Sequence, residues 1–430
     1  MKLTKTAAWI LAALLCLSGM TACTARKPAF SEEVNLFNRG LLAAKQNGKY
    51  GYVNVQGEWV VAPRFEDTYY FDENGLAAVC ENGKWGWIDE KGNYAINPVF
   101  DEVRGFTGRF PTPVKTDGVY GYLHADGTYA VEPRFAKAYP FAENGLALVQ
   151  TDSGYGFITT DGSFAIEPVY EDAYSFENGP AAVCVNGLWG YVDAQGKHVL
   201  EPCLDYAASF TEEGLALVCL QGKYGYVDPF GNYRVEAVFS DAHPFKNGAA
   251  MVEEGGQWGY IDTLGHYIVT PMFRSVKDFG ANGLAIVRLG DLYGYMNRSG
   301  EMVIQPQFYS AHEFYEGVAV VSAGEGGYGL IDEQGNYIVK PKYYDMGFAV
   351  RAGRVYFVDT ENGVGYLDTE SGEEVIAAQF EYFYTTSLYG GAGDFFDDGY
   401  AVAKKGELYG VIDRQGKWVI EPRFEDFALK

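Results

Sequence analysis

The sequence predicts an all-β fold, a tandem array of about eleven three-stranded antiparallel meander units that forms an open, curved or superhelical solenoid. Three observations predict it. A glycine flanked by aromatic residues returns every 34 to 36 residues, a second glycine follows six residues later, and a proline then ends the returning strand. A fixed period of this size is typical of repeat architectures, in which each unit buries its apolar faces only against its neighbours.

The anchor glycine marks the middle strand of each unit. The residue before it is Tyr or Trp in ten copies and Val364 in the other, and the residue two places after it is always apolar. Because side chains alternate along a strand, both faces of this strand are apolar, and the bare glycine predicts another group packed closely against its backbone. The anchors are Gly51, Gly86, Gly121, Gly156, Gly190, Gly225, Gly259, Gly294, Gly329, Gly365 and, after a longer interval of 45 residues, Gly410.

A tight turn and a returning strand follow the anchor. Asp or Asn usually stands three residues before the second glycine, as Asp89 does, which predicts a hairpin in which the side chain accepts local N–H bonds. The returning strand carries an aromatic and then an aliphatic residue, such as Trp59 and Val61, and it stops at a proline such as Pro63. Later aromatic residues such as Phe71 are expected to hold the crossing loop against the core.

The two ends of the array decide between an open and a closed arrangement. The chain enters the repeat at Phe37 with a strand of its own and ends after a returning strand, so whole three-stranded units are kept. Closed propellers often divide one blade between the two ends, and they typically have four to eight four-stranded blades. We therefore expect the open array, with one or two propeller-like rings as the alternative.

The segments KWGWIDEKGNYAINPVF (84–100) and LWGYVDAQGKHVLEP (188–202) resemble the WG repeat family, also called KWG repeats. The resemblance covers nearly all of residues 37–430. It implies an array of short β units, of a kind often found in secreted or surface proteins of bacteria, and it brings no catalytic motif. The copy around Gly365 departs most from the pattern, because Ala377 and Ala378 stand where proline is expected.

The N-terminal residues predict export and attachment to a membrane. Residues 1–22 have two lysines, an apolar run from Ala7 to Leu17 and small residues at the end, as a secretory signal does. The tripeptide before Cys23 resembles a bacterial lipobox, which implies cleavage there and a lipid on Cys23. An ordinary cleaved signal near Ala22 is the alternative. The predicted organisation is a signal peptide over 1–22, a lipid-anchored linker over 23–36 and the repeat array over 37–430.

Charge and side-chain chemistry exclude several classes of function. Without residues 1–22 the chain has 31 basic and 57 acidic residues, a charge of −26, which makes nucleic acid and anionic lipid poor partners. The sequence has no HExxH, GxSxG or P-loop motif and no calcium loop. Paired acids such as Glu66-Asp67 recur in register, which indicates a role in structure or in solvation and not in catalysis. We therefore expect no enzymatic activity, no cofactor and no metal.

Four cysteines follow Cys23 in the sequence, too few for a disulfide scaffold. Cys80, Cys184 and Cys219 occupy a repeat position that is polar in several other copies, so we expect them at the surface or at a sheet edge. A bridge between Cys184 and Cys219 in adjacent repeats stays open.

The largest interruption of the repeat suggests where function lies. Residues 381–399 add about ten residues rich in aromatic side chains and glycine, and they form a candidate partner or ligand loop; a packed excursion is the alternative. The candidate residues are Tyr382, Phe383, Tyr384 and Tyr389. We expect an extracytoplasmic, lipid-anchored interaction module that binds an envelope or extracellular protein through a repeat surface. The alternative is a lipoprotein that binds carbohydrate or the cell wall.

Overall fold

A computed structural model describes residues 34–103, 110–383 and 393–429. Within Val34–Lys430, which forms one compact unit, the described residues build eleven antiparallel sheets. Ten sheets have four strands and one has three, and each sheet follows the previous one along the chain. The protein is an eleven-bladed β-propeller.

The four strands of a blade have constant lengths and places. Ten blades have a first strand at one edge of the sheet, and it has two residues in nine of them and five in blade 8. The first strands are β43 (Asp426–Phe427), β4 (Asp67–Thr68), β8 (Glu102–Val103), β12 (Lys137–Ala138), β16 (Asp172–Ala173), β20 (Tyr206–Ala207), β24 (Asp241–Ala242), β28 (Ser275–Phe279), β32 (Ser310–Ala311) and β36 (Asp345–Met346). The second strands are β1 (Leu41–Gln46), β5 (Leu76–Glu81), β9 (Thr112–Thr116), β13 (Ala147–Thr151), β17 (Ala181–Val185), β21 (Ala216–Leu220), β25 (Ala249–Glu254), β29 (Leu284–Leu289), β33 (Val318–Ser322), β37 (Arg354–Asp359) and β40 (Tyr400–Lys405).

The third and fourth strands form the hairpin that carries the repeat signature. The third strands are β2 (Lys49–Asn54), β6 (Lys84–Asp89), β10 (Val119–Leu123), β14 (Gly154–Ile158), β18 (Leu188–Val192), β22 (Lys223–Val227), β26 (Gln257–Asp262), β30 (Leu292–Asn297), β34 (Tyr328–Asp332), β38 (Gly363–Asp368) and β41 (Leu408–Asp413). The fourth strands are β3 (Trp59–Phe65), β7 (Tyr94–Phe100), β11 (Tyr129–Phe135), β15 (Phe164–Tyr170), β19 (His198–Leu204), β23 (Tyr233–Phe239), β27 (Tyr267–Phe273), β31 (Met302–Phe308), β35 (Tyr337–Tyr343), β39 (Glu374–Phe380) and β42 (Trp418–Phe424). One short 3₁₀ helix, Gly324–Gly326, lies in blade 9.

The prediction of an open array of three-stranded units is wrong, because the ring closes and the blades have a fourth strand. The two-residue strands were assigned to the crossing loop, since two residues are too few to show an alternating pattern. The last of them, β43, pairs with β1, with Ala44 opposite Phe427 and Lys45 opposite Asp426. The chain's last strand therefore completes its first blade, which is the division between the two ends that closes a propeller. In blade 11 a single bridge between Glu381 and Lys404 takes the place of the first strand.

The anchor glycines lie where the backbone of the fourth strand crosses that of the third. Register shifts between Tyr50 and Tyr52 mark a bulge in the partner strand, opposite Gly51. A Cβ on Gly51 would lie 2.4 Å from the carbonyl oxygen of Val61 and 2.7 Å from the nitrogen of Pro63. The predicted close approach to the glycine is confirmed, and the group that approaches is the bulged strand itself.

The hydrophobic core is divided into clusters between adjacent blades. Trp87, for example, packs in one cluster with Leu123 of the next blade, and both side chains are buried. Crossing-loop aromatics contribute as expected: the ring of Phe71 lies 4.7 Å from that of Tyr52, centroid to centroid. The hydroxyl of Tyr52 donates to the carbonyl of Tyr69, and six other blades show the equivalent bond, from Tyr122, Tyr191, Tyr226, Tyr260, Tyr295 and Tyr366. Each blade thus presents two buried faces to its neighbours.

The cysteines of the described residues are free thiols. Cys80, Cys184 and Cys219 are buried in second strands, which lie inside the four-stranded sheets, so their expected place at the surface or at a sheet edge is wrong. The thiols of Cys80 and Cys184 lie 3.8 Å and 3.9 Å from the carboxylates of Glu66 and Glu171. Burial raises the pKa of the Cys80 thiol, and the neighbouring Glu66 adds to that shift. Cys184 and Cys219 do not form a bridge in the structure.

Candidate binding surfaces

The recurring acids are caps for the turn between the second and third strands. In blade 5, one carboxylate oxygen of Glu171 accepts the N–H of Gly187 at 2.8 Å. In blade 1, Glu425 accepts the N–H groups of Asn47 and Gly48, which both have positive φ as a tight hairpin turn requires. Equivalent caps come from Glu66, Asp101, Asp205 and Glu381. The prediction that these acids are structural is confirmed for this position of the repeat.

Blades 9 and 10 replace this acid with Tyr309 and Tyr344. Their turns cap themselves: the hydroxyl oxygen of Ser322 accepts the N–H of Gly324 at 3.2 Å, and Asp359 accepts the N–H of Asn362 at 2.8 Å. The two tyrosines are therefore not needed for turn capping. Their exposed fractions are 62% and 73%, among the highest of the large hydrophobic side chains.

An open cleft of about 500 Å³ lies between the turns of these two blades. Gly324, Gly326 and Gly327 form part of one wall, and Val358 and Thr360 form part of the other. A Cβ on Gly324 would lie 3.0 Å from the ring of Tyr309, so this ring lies directly against the glycine turn. Tyr344 lines the same cleft.

The charged groups of the cleft are held by neighbours. The ammonium of Lys342 lies 3.5 Å from a carboxylate oxygen of Glu374 and 4.6 Å from the ring centre of Tyr343. N–H bonds from Asn362 and Glu361 lower the pKa of Asp359, so its carboxylate stays ionised at neutral pH. One cation and one anion therefore face the cleft from its two sides.

A second surface departs from the repeat at the tips of blades 6 and 7. The residue before the second glycine is polar in nine copies but is Phe230 in blade 6 and Leu264 in blade 7. Their exposed fractions are 79% and 60%. Tyr267, the first residue of the fourth strand in blade 7, is also exposed. We call Phe230, Leu264 and Tyr267 the tip surface.

The candidate loop residues are described only in part. Tyr382 is half-buried and its hydroxyl donates to Asp345, the chain neighbour of Tyr344, at 3.1 Å. Phe383 is half-buried, and its ring packs edge-on against Tyr409 at 5.1 Å. The two side chains thus belong to different clusters, and Tyr382 bonds to the first strand of blade 10, which begins directly after Tyr344. Tyr384 and Tyr389 lie outside the described residues, as does the lipidation candidate Cys23.

Sequence reasoning missed the cleft and the tip surface because it looked for a long insertion. Both surfaces consist of single substitutions in otherwise regular copies. The signal was present: an aromatic residue in a mostly polar and acidic position, and an apolar residue in a turn position that is elsewhere polar. Comparison of the copies position by position would have found Tyr309, Tyr344, Phe230 and Leu264.

The described residues show neither a metal-binding cluster nor a membrane-spanning helix. Residues 34–103, 110–383 and 393–429 contain no group of three or more His, Cys, Asp or Glu side chains placed to hold a metal ion. In the same part of the chain, no helix has the length and apolar character needed to span a bilayer.

Comparison with known proteins gives structural likenesses and one family. No curated protein matches the chain. Among solved structures, a eukaryotic initiation factor is similar at 11% identity and a TM-score of 0.43, over 91% of this chain and 96% of that one. BamB from Moraxella catarrhalis is similar at 11% identity and a TM-score of 0.31, over 67% of this chain and 87% of that one. The propeller architecture follows from the strand pairing described above.

A family model for the WG containing repeat matches most of the chain. The matched segments are residues 50–85, 85–111, 120–154, 155–189, 189–224, 224–258, 258–293, 293–325, 328–353, 365–409 and 409–428. The segments follow the blades in order, and the resemblance inferred from the sequence is confirmed. The chain belongs to the family of WG-repeat proteins.

Proposed function

We propose that this protein is an extracytoplasmic, lipid-anchored interaction module that binds a protein partner of the envelope or the cell exterior through the tip surface. The observation that carries the proposal is the exposure of Phe230 and Leu264 at neighbouring turn tips. Large apolar side chains placed together on a surface are typical anchors of protein interfaces. Propellers are suited to this role because the closed ring holds their turns in fixed places.

The structural roles of the repeated acids support a function in binding instead of catalysis. Glu171 and Glu425 are occupied by turn N–H groups, so these recurring carboxylates are held for structure. General acid–base chemistry needs a titratable group within reach of a substrate. We therefore propose that the protein is not an enzyme. Lipid attachment at Cys23 would keep the propeller near the membrane, and the signal-like residues 1–22 support export.

The charge of the protein restricts the partner. An excess of 26 acidic residues over basic ones after residue 22 disfavours strongly acidic partners and favours neutral or basic surfaces around the apolar contact. Apolar anchors contribute most when a ring of polar contacts excludes water around them.

Site-specific photocrosslinking on intact cells of the source organism tests the proposal. A photoreactive amino acid replaces Phe230 or, as the matched control, Gln195, which holds the same turn position in blade 5. We expect a discrete adduct with one extracytoplasmic protein from position 230 and not from position 195. Phe230→Ser with Leu264→Ser should weaken binding of that protein, once purified, by about tenfold or more.

The proposal fails if positions 230 and 195 give the same adducts, or if neither gives one. It also fails if the double serine variant binds the purified partner as the parent does. Both substituted side chains are exposed, so circular dichroism and the unfolding midpoint should not change.

A further inference from the structure

We propose that the cleft between blades 9 and 10 is a binding site for a neutral carbohydrate. The site is separate from the tip surface, and the proposal does not depend on a protein partner there. It rests on the chemistry that lines the cleft and on the release of Tyr344 from the structural task of its repeat position.

The first step is that Tyr344, like Tyr309 in the blade before, is not needed to cap the adjacent turn. In six other blades this position holds a Glu or Asp that caps the adjacent turn. In blades 9 and 10, Ser322 and Asp359 provide that cap from within the turn. An aromatic side chain that is more than half exposed gains little from burial, so its place at a cleft indicates a ligand.

The second step is the combination of aromatic rings with glycine residues in one wall of the cleft. The wall formed by Gly324, Gly326 and Gly327 lets a ligand approach the backbone closely. Sugar rings have an apolar C–H face that packs on an aromatic ring and hydroxyl groups that need hydrogen-bond partners. Tyr344, with Tyr328 and Tyr343, offers the rings, and the backbone and polar side chains of the two turns offer the partners.

The third step is the charge balance, which selects against ionic ligands. Lys342 has Glu374 as its neighbour at 3.5 Å, and Asp359 is held ionised by N–H groups of its own turn. A phosphate or a carboxylate ligand would face Asp359, and a cationic peptide would face Lys342. A neutral, hydroxyl-rich ligand accepts bonds from the ammonium and donates bonds to the carboxylate without a charge penalty.

The fourth step is size. The cleft volume of about 500 Å³ lies within the range of roughly 300–1,000 Å³ found for small-ligand clefts. The cleft is open to solvent along one side, so a longer chain could continue beyond it. We therefore infer that the ligand is a segment of a glycan chain bound through a small number of sugar units.

Co-sedimentation with insoluble glycans tests the proposal. A chain of residues 34–430, which contains every described strand and the ring closure, is mixed with the neutral glycans cellulose, chitin and unsubstituted xylan. The salt is about 1 M NaCl, at which the Debye length is about 3 Å and ionic adsorption is suppressed. We expect sedimentation with at least one of these glycans. Tyr344→Ala should weaken that binding by about tenfold, and Lys342→Ala in addition should weaken it further.

Tyr206→Ala is the matched control, because Tyr206 is a partly exposed tyrosine in the first strand of blade 6, away from the cleft. It should bind as the parent does. The proposal is overturned if no glycan sediments the protein, or if the cleft variants bind as well as the parent. Equal loss in Tyr206→Ala would also overturn it. Unchanged crosslinking at position 230 in the cleft variants would show that protein binding at the tip surface and glycan binding in the cleft are independent.

Discussion

Phe427→Ala tests the closure of the ring. Phe427 belongs to the last strand, but it packs in a cluster with Leu42 and Val53 of blade 1 and with Phe424 of blade 11. Its exposed fraction is 5%, and its ring centre lies 5.5 Å from that of Phe424. The substitution therefore removes a side chain that joins the two ends of the chain.

The expected cost follows from the type of contact. Truncation of a buried Phe to Ala usually lowers the free energy of unfolding by about 3–5 kcal/mol, through lost burial and the cavity left behind. Phe427 lies where blades 1 and 11 meet, and main-chain partners flank it, because the N–H of Glu425 donates to Lys45 and the N–H of Ala428 to Ala43. We expect the upper part of that range if β43 loosens together with the side chain.

Two measurements check the prediction. Urea denaturation gives the change in the free energy of unfolding, and hydrogen exchange of a peptide that covers residues 41–46 reports on β1 directly. Phe230→Ala is the matched control, because the same atoms are removed from a side chain that is 79% exposed; it should change stability by about 0.5 kcal/mol or less.

The closed ring predicts faster exchange in residues 41–46 of the Phe427→Ala variant, although the substitution is about 380 residues away in sequence. An open array predicts that only the C-terminal blade is affected. Unchanged exchange in β1, with a loss of stability confined to blade 11, would refute the ring closure.

Three further predictions address the turns, the closure and pH. In urea unfolding, Gly190→Ala should lower the free energy of unfolding by roughly 4 kcal/mol or more, because its Cβ would lie 2.5 Å from a carbonyl oxygen. Gly187→Ala, in open space at φ +75°, should lower it by about 1–2 kcal/mol. The reverse order would contradict the bulge opposite Gly190. Cysteines at Lys45 and Asp426, which face each other across β1 and β43, should form a disulfide seen on non-reducing gels, and failure to form it would count against that pairing. Burial lowers the pKa of His312 to about 4, so the neutral buried imidazole contributes its full stability above the unfolded pKa of about 6.5 and loses that contribution as the pH falls towards 4. His312→Tyr should therefore reduce the difference in unfolding midpoint between pH 7 and pH 4.5. An unchanged difference would exclude His312 as the cause of the pH dependence.

The local parts of the fold could be predicted because their causes lie within a few residues. Asp89 accepts the N–H groups of Lys91 and Asn93, and Gly92 has a φ of +82°, as the spacing of Asp and Gly indicated. The close approach at Gly51 could also be predicted, because a glycine between two aromatic residues of a strand leaves room for another backbone segment. Each of these features repeats within about 35 residues, so it was observed many times in one sequence.

The closure and the fourth strands could not be predicted in the same way. A two-residue strand such as Asp67–Thr68 is too short to show an alternation of apolar and polar side chains, so no periodic pattern distinguishes it from a loop. The pairing of Lys45 with Asp426 joins residues at opposite ends of the chain, and nothing local specifies it. Eleven blades also exceed the usual number for a propeller, which made the open array the more ordinary expectation.

The candidate loop was chosen by its length, and the structure shows why length is a weak guide in this fold. Tyr382 and Phe383 lie at the start of the insertion, yet their rings pack into two neighbouring clusters. Tyr366 donates its hydroxyl to Gly393, after the insertion, and so keeps the bond that other blades make 17 residues further along. The longer connection therefore preserves the packing of a regular blade. Its role in recognition stays a prediction.

In this repeat, an exposed position is available for function where its structural task is met by another residue, or where it has no such task. A turn that loses its capping acid would leave N–H groups without an intramolecular acceptor, at a cost of about 1–3 kcal/mol where they are buried. Ser322 and Asp359 remove that cost in blades 9 and 10, and Tyr309 and Tyr344 occupy the released position. The tips of blades 6 and 7 need no such replacement, because Asp228 and Asp262 still accept the N–H groups of Phe230 and Leu264. The cleft and the tip surface therefore arose at positions that the fold does not use, and blade 8 separates them, so one ring has room for a glycan and a protein at the same time.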